Sequence, residues 1–307
     1  MTPALPTAMM SRTRQREQLV RDRSERFLEI ADARLWVVSD GVAGPLVVVL
    51  HGGPGLPDYT EPIARLLTDR FRVHRYDQRG AGRSDRRPPW TLEGAVADLD
   101  GIRQALELER WHVVGHSWGA TLGLLYALQH PSRTSSLAYL SGTGLAWSHW
   151  VESYRQEQRQ RWTPGEQQRY DELRARARSL GEEVELIDLE LRADTLPTAS
   201  DTDMARTLAA GINREVKRQL NREVDRLDST KLAQCCSTLD GVPVLVVHGQ
   251  RDPRPAEAVA DLVTALPHVE TLFMDAGHEL WREGPSDLRD GLRRHIESAE
   301  ARQSPPT

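Results

Sequence analysis

Hydrophobic residues fall into two different rhythms along this chain. Residues 27–40 alternate, as in Arg34-Leu35-Trp36-Val37-Val38, and predict two short strands. Residues 46–50 form a continuous apolar run, Leu-Val-Val-Val-Leu, the pattern of a strand buried on both faces. A short helix is expected over 61–67 and a strand over 71–76. Between 92 and 106, apolar residues at 92, 95, 96, 99, 102, 105 and 106 make one helical stripe. A strand over 111–114, a strongly apolar helix over 120–129 and a strand over 137–140 follow. The order β-α-β-α-β-α-β implies a mostly parallel sheet with helices on both faces.

The rhythm then changes. From 143 to 236 no strand is legible, and the segment is dense in Arg, Glu and Gln. Its expected helices lie at about 150–161, 165–178 and 201–227, punctuated by Pro164 and Pro197. Strand and helix alternate again afterwards: a strand over 243–247, a helix over 255–266, a strand over 270–274 and a closing helix over 286–296. The expected organisation is an α/β core of residues 27–142 and 237–300, interrupted by a helical insert of residues 143–236. The insert starts directly after a strand, where sheet proteins carry functional loops.

Composition narrows the function class. The 307 residues carry a net charge of −5, so no basic field points to nucleic acid or an anionic membrane. The longest apolar runs, 46–50 and 242–247, fall far short of the ~20 residues of a membrane span. Residues 1–26 carry arginine at 12, 14, 16, 21, 23 and 26 without an apolar core of the secretory type. They are expected to form a disordered arm, or to reflect a start placed ahead of Met9 or Met10. Lysine occurs only at 217 and 231, a bias typical of GC-rich bacterial coding sequences. Cys235 and Cys236 are adjacent, a spacing suited neither to a mutual bridge nor to a metal site. Both are expected to be buried or half-buried thiols in a reducing, cytoplasmic setting.

The candidate chemistry sits at strand ends. Gly115-His116-Ser117-Trp118-Gly119 lies between an expected strand and an expected helix, the context in which G-x-S-x-G presents a nucleophile. The sharp turn strains the serine, lifts Oγ above the sheet at the positive end of a helix, and needs small flanking residues. A serine hydroxyl needs a base, and the base needs an orienting acid. Histidines at 130, 149, 248, 268, 278 and 295 follow Ser117; only His278, in Asp275-Ala276-Gly277-His278, sits in a Gly-containing loop just beyond a late strand. Asp252, in His248-Gly249-Gln250-Arg251-Asp252, follows the preceding strand and is the expected acid. Asp275 is the rival, with a turn-forming role as its plainer explanation. The developing oxyanion needs two amides. Trp118 supplies one, and Gly53 in His51-Gly52-Gly53-Pro54-Gly55, after the 46–50 strand, supplies the other. A third motif, Asp77-Gln78-Arg79-Gly80-Ala81-Gly82-Arg83-Ser84, places Asp77 and Arg79 as structural residues bracing the oxyanion turn.

These three motifs together resemble the prolyl aminopeptidase (proline iminopeptidase) family of α/β-hydrolases, which carries HGGPG, DQRGxGxS and GxSWG; the three stand at 51–55, 77–84 and 115–119. The stretch 119–131 is also similar to the family's nucleophile helix, and the likeness covers about 27–142 and 240–298. It implies an α/β-hydrolase fold with a helical cap over the site. It implies Ser117, Asp252 and His278 as a triad and Gly53 with Trp118 as the oxyanion hole. It also implies release of an N-terminal residue, usually proline, from short peptides. Family members hold the free α-amine with carboxylates. Pro253 follows Asp252, so no adjacent acid is on offer there, and Glu215 or Glu223 could serve, although an Arg/Glu-rich helix reads more simply as a solvated face. Trp147, Trp150 and Trp162 could line an apolar pocket or pack the cap helices. The expected reaction is hydrolysis through an acyl-enzyme on a short peptide or small molecule, without metal or organic cofactor. Esterase, lactonase or thioesterase action, or a non-hydrolytic biosynthetic role on the same fold, are the alternatives.

Overall fold

The computed structural model describes residues 23–303, apart from 42 and 196–200. Eight strands form one sheet in the order β1-β2-β4-β3-β5-β6-β7-β8. They are Ser24–Ile30, Ala33–Asp40, Leu46–Leu50, Arg72–Tyr76, Trp111–His116, Thr134–Leu140, Val244–Gly249 and Val269–Met274. The pairs β1–β2 and β2–β4 are antiparallel, and every other pair is parallel. The arm expected over 1–26 lies outside the described residues except for its end. That end is corrected: residues 24–26 belong to β1, in register with β2 from Ser24↔Ser39 onward.

The apolar runs explain the layers. In β3, Val48 and Leu50 enter the core on one face of the sheet, while Val47 and Val49 enter the core on the other. β5, β6 and β7 divide the same way, with Val113, Tyr139 and Val246 against Val114, Leu140 and Val247. A strand flanked by two cores has no polar positions to alternate with, hence the unbroken runs. Helices α1 (Glu61–Arg65), α2 (Leu92–Ala105) and α3 (Trp118–Gln129) connect the first strands, with α10 (Glu257–Ala265), α11 (Leu280–Glu283) and α12 (Pro285–Gln303) near the end. From β3 the chain crosses to β4 on one side and returns to β5 on the other. That reversal opens a crevice at the carboxyl ends of β3 and β5, the place where open sheets of this kind bind ligands.

Among the described residues, six α-helices lie between β6 and β7: α4 (Trp147–Gln160), α5 (Pro164–Arg174), α6 (Leu180–Asp194), α7 (Thr202–Gly211), α8 (Arg214–Val224) and α9 (Ser229–Cys236). Two of them, α6 and α9, go beyond the expected set. The apolar residues of α6 serve two separate clusters. Leu186, Leu189 and Ala193 join Trp162, Tyr170 and Leu173, while Ile187, Val184 and Leu191 join Ala205 and Leu208. A helix buried on two sides has no single stripe to detect. A signal was nevertheless present: Ser179 and Glu182 form a capping box at its start, as Thr163 and Glu166 do for α5. The single helix expected over 201–227 is two, because Ile212 is extended and the Asn213 side chain caps α8. Val216, Leu220, Leu232 and Cys236 pack into the main core, so the last third of the insert is anchored to the sheet domain. Cys236 is buried, but Cys235 is exposed, a correction to the burial expected for both. Among the described residues, no helix is long and apolar enough to cross a membrane.

Candidate active site

Ser117 occupies the turn between β5 and α3 with φ of +57° and ψ of −120°, a left-handed conformation that costs on the order of 1–3 kcal/mol. Two glycines make the turn possible. A Cβ at Gly115 would lie 2.1 Å from the carbonyl oxygen of Gly119, and one at Gly119 would lie 2.2 Å from that of Leu50. The helix therefore starts hard against β3 and β5, and any side chain at either position would push it away. The Ser117 amide donates to the Leu140 carbonyl of β6 at 2.8 Å, tying the turn to the sheet.

His278 and Asp252 come together from the loops after β8 and β7. The imidazole Nδ1 lies 2.7 Å from Asp252 Oδ2, and both residues are buried. The other oxygen, Oδ1, accepts from the Arg254 amide at 2.9 Å and from Arg254 Nη1 at 3.1 Å. Burial pushes the Asp252 carboxyl up, but the opposing charges of His278 and Arg254 prevail and hold it far below the usual carboxylate range. Arg254 also reaches Asp194 Oδ2 of α6 at 3.2 Å and the Tyr154 hydroxyl of α4 at 3.2 Å. Asp194 further accepts from the His278 amide through its main-chain oxygen, at 2.9 Å. The insert is thus fastened directly to the His278 and Asp252 loops. Asp275 is 78% exposed on its side chain and pairs with Arg251 at 2.7 Å, which leaves it a loop-holding role. His248 is buried, with Nε2 2.9 Å from the Arg254 carbonyl.

The turn after β3 reaches the same place. Gly53 has φ of +52°, and its carbonyl accepts from the Leu56 amide at 2.8 Å. The neighbouring Gly52 amide already donates to the Tyr59 hydroxyl at 2.8 Å. That leaves Gly53 as the glycine of this pair to meet a ligand, and it lines the cavity that also holds Ser117. Trp118 is the first residue of α3, so its amide has no acceptor within the helix and points with the positive helix end.

Three side chains that sequence patterns did not single out hold these parts in register. His116 Nε2 lies 3.0 Å from the His278 carbonyl, which can only accept, so Nε2 carries the proton. His116 Nδ1 then accepts from the Tyr59 hydroxyl at 2.8 Å, which itself accepts from Gly52. Burial holds His116 well below the usual histidine range, consistent with a neutral ring in this relay. Gln78 donates through Nε2 to the His51 carbonyl at 2.9 Å and accepts from the Trp118 indole at 2.9 Å. Asp77 ties the segment after β3 to its own loop, accepting from the Asp58 amide at 2.7 Å and the Arg83 amide at 3.0 Å. Arg79 is a correction: it pairs with Asp98 at 2.6 Å and with Asp32 at 2.8 Å rather than with the turn after β3. The flexible amide of Gln78, one residue away, makes the link instead.

Under the insert lies a cavity of ≈ 530 Å³, with Gly53, Ser117 and His278 on its floor. Glu215 and Glu223 do not line it. Glu215 pairs with Arg218 and bonds Gln219, and Glu223 accepts from the Leu92 amide at the start of α2. The carboxylates that do face the cavity are Glu190, Asp194 and Glu279. Two of these belong to α6, the helix without a single stripe. Trp147 lines the cavity, whereas Trp162 packs on Tyr170 and donates to the Leu189 carbonyl at 3.0 Å. Among the described residues, no group of three or more His, Cys, Asp or Glu side chains is arranged to hold a metal ion.

A family model described as alpha/beta hydrolase fold matches residues 45–285. The chain belongs to this family. The proline iminopeptidase of Heyndrickxia coagulans is 38% identical over 123 residues, 38% of this chain and 43% of that relative. The match therefore spans less than half of that relative's length. A probable proline iminopeptidase of Leptolyngbya boryana is 29% identical over 280 residues, 78% of this chain and 83% of the relative. Among solved structures, a proline iminopeptidase of Mycobacterium smegmatis matches with a TM-score of 0.70 at 22% identity, over 92% of this chain and 100% of the other. The α/β-hydrolase fold makes this protein a hydrolase by family, similar to proline iminopeptidases in sequence.

Proposed function

We propose that this hydrolase releases an N-terminal residue, in the manner of a prolyl aminopeptidase, through an acyl-enzyme on Ser117. In this reading Ser117 Oγ attacks the scissile carbonyl and His278 takes its proton, then returns it to the leaving amine. Asp252 holds the imidazole tautomer through the 2.7 Å contact to Nδ1, with its own charge fixed by Arg254. The Gly53 and Trp118 amides receive the developing negative charge. The observation that carries the reading is that one cavity collects Ser117, His278 and Gly53 from three separate loops. Residues 143–236 act as a cap that shapes this cavity over a core of 27–142 and 237–300. The substrate is a short peptide or small amide. The arginine bias and the two free cysteines support a bacterial cytoplasmic setting.

A direct comparison of prolyl 2-naphthylamide with short acyl esters tests the substrate class. Faster turnover of the naphthylamide is expected; hydrolysis of the esters alone would assign the protein to the esterases.

The three cavity carboxylates supply what an α-amine needs. Glu279 follows His278 in the chain, and burial pushes its carboxyl up to about 7, against the charge of Arg282. Below that pH it is neutral and above it is an anion. KM for amine-bearing substrates is therefore expected to fall as pH rises from 6 to 8. Glu279→Gln should flatten that profile, and a neutral acyl ester should show no such change in KM. A profile unchanged by the substitution would remove Glu279 from amine binding.

A further inference from the structure

The cavity has two walls of opposite charge. Beside His278 the lining carries the carboxylates of Asp194 and Glu279 against the guanidinium group of Arg254. Elsewhere the lining, from α5, the loop after it, α6 and α8, carries Arg174, Arg178, Arg214 and Lys217 with Glu190, while Glu183 lies just behind it. Glu183 is already shared, with Arg178 Nε and Arg214 Nε each 2.8 Å from its oxygens. Among the described residues, Arg174 has one hydrogen-bond acceptor, the Tyr170 hydroxyl at 3.0 Å, and lies over the ring of the same residue. Among the described residues, the half-buried ammonium of Lys217 has neither a hydrogen bond nor an ion pair, and the same holds for the carboxylate of Glu190.

Lys217 is also well placed. Its helix is docked on the oxyanion turn, with the Asn213 amide donating to the Gly55 carbonyl at 2.7 Å. A Cβ at Gly55 would lie 3.2 Å from the Lys217 main-chain nitrogen, so the root of this side chain is one residue's width from the turn that carries Gly53. Glu190 favours the charged lysine, but burial and the nearby Arg214 and Arg174 outweigh it and hold the amine below its usual range. A cation crowded by other cations is relieved by an incoming anion.

We infer that this wall binds a carboxylate of the substrate, so that the enzyme prefers di- or tripeptides with a free C-terminus, whose carboxylate meets Lys217 and Arg174 while the α-amine meets the acidic wall. The inference rests on the aminopeptidase reading and deepens it. A singly charged anion fits better than a phosphate dianion, because Glu190 faces the same space and repels the second charge. The geometry also limits length: both charges of the peptide must fall within one cavity of ≈ 530 Å³.

The test is kcat/KM for a prolyl dipeptide against the same dipeptide with its C-terminus blocked as a carboxamide. The free acid should be preferred by about 10-fold or more, the usual worth of a charge-assisted hydrogen bond. Lys217→Met should bring the ratio close to one, chiefly through KM for the free acid, and Lys217→Arg should preserve it. Arg174→Gln, at the exposed edge of the wall, should lower the ratio partway and covers the case in which Lys217→Met fails to fold. Equal turnover of acid and amide by the native protein would overturn the inference, as would a preference untouched by both substitutions. If neither peptide is cleaved while acyl esters are, the aminopeptidase reading fails separately. The wall is then decided on an aryl ester of succinic acid against that of succinamic acid, where the free acid should again be preferred.

Discussion

Ser117→Ala should lower kcat by about 10³-fold or more while leaving the fold intact. The two halves of that expectation have separate physical grounds. The turn is held by main-chain and glycine geometry: the Ser117 amide on Leu140, and Gly115 and Gly119 allowing β5 and α3 to close on β3. Alanine keeps all of these and adopts the same positive φ at a similar strain, so loss of activity would report loss of Oγ. A melting curve close to that of the native protein, together with lost turnover and lost labelling by a fluorophosphonate probe, is the expected set of results. Near-native turnover would sink the assignment of Ser117 as nucleophile. The strain itself supports the assignment, since a non-glycine residue at φ of +57° persists only where its surroundings dictate it.

Acid should destabilise this protein as pH falls from about 6.5 toward 4. His74 and His295 are buried, and burial first, then neighbouring cationic groups, lowers each from 6.5 to about 4. The unfolded chain takes up a proton at these positions near pH 6.5, and the folded chain only near pH 4. Stability from these groups is therefore complete above about 6.5 and is lost as pH falls toward 4. Each contributes about 3 kcal/mol at about 1.4 kcal/mol per pKa unit. Glu279 works in the opposite sense over the same window, because its folded value lies above its unfolded one, and it offsets about one histidine. His112, which burial and then Arg110 lower from 6.5 to about 4, adds a third share of the same size, and His116 and His248, lowered by burial as well, shift in the same direction. The balance is on the order of 5 kcal/mol between pH 7 and 4.5, a large share of the ~5–15 kcal/mol that holds a domain folded. Urea unfolding at the two pH values measures it. A free energy of unfolding that stays level or rises on acidification would contradict the account. Replacing both His74 and His295 by Gln should flatten the slope, whatever it does to stability at pH 7.

The proposed chemistry explains why its parts could be found in a single sequence. A nucleophile turn needs glycine two residues before and two after Ser117, because each meets a carbonyl oxygen at about 2 Å from any Cβ. The oxyanion turn needs glycine at 53 for its positive φ. Such demands act over a few residues and leave a local mark. The bracing groups leave none. Tyr59, Gln78 and His116 act across separations of 57 and 40 residues, through hydrogen bonds that ordinary-looking side chains make only once the sheet has assembled. Arg79 illustrates the reverse error. Its place in a motif beside the turn after β3 suggested a part in bracing it, but from the loop after β4 its side chain reaches Asp98 on α2.

The helical insert marks the boundary most clearly. Its helical nature was legible from its polar density and missing strands, and its position after a strand from the order of elements. Its contribution to the cavity was not. Glu215 and Glu223 stood out as acids in a helix, yet they serve Arg218 and the start of α2. Glu190 and Asp194 reach the cavity because α6 is buried on two sides and spends its apolar residues on both.

What the sequence determined by itself was the layered sheet and the strand-end loops on which Gly53, Ser117, Asp252 and His278 stand. Burial on two faces and close backbone approach both restrict residue type at single positions, so they are written in the chain. What only the tertiary structure decided was which polar groups come together: Arg254 with Asp252 and Asp194, His116 between Tyr59 and His278, and Lys217 and Glu190 lining the same cavity. Charged side chains are tolerated at most surface positions, so their types say little in advance. Their pairing follows from how six helices settle on the sheet, and that settling sets the shape and charge of the space above Ser117.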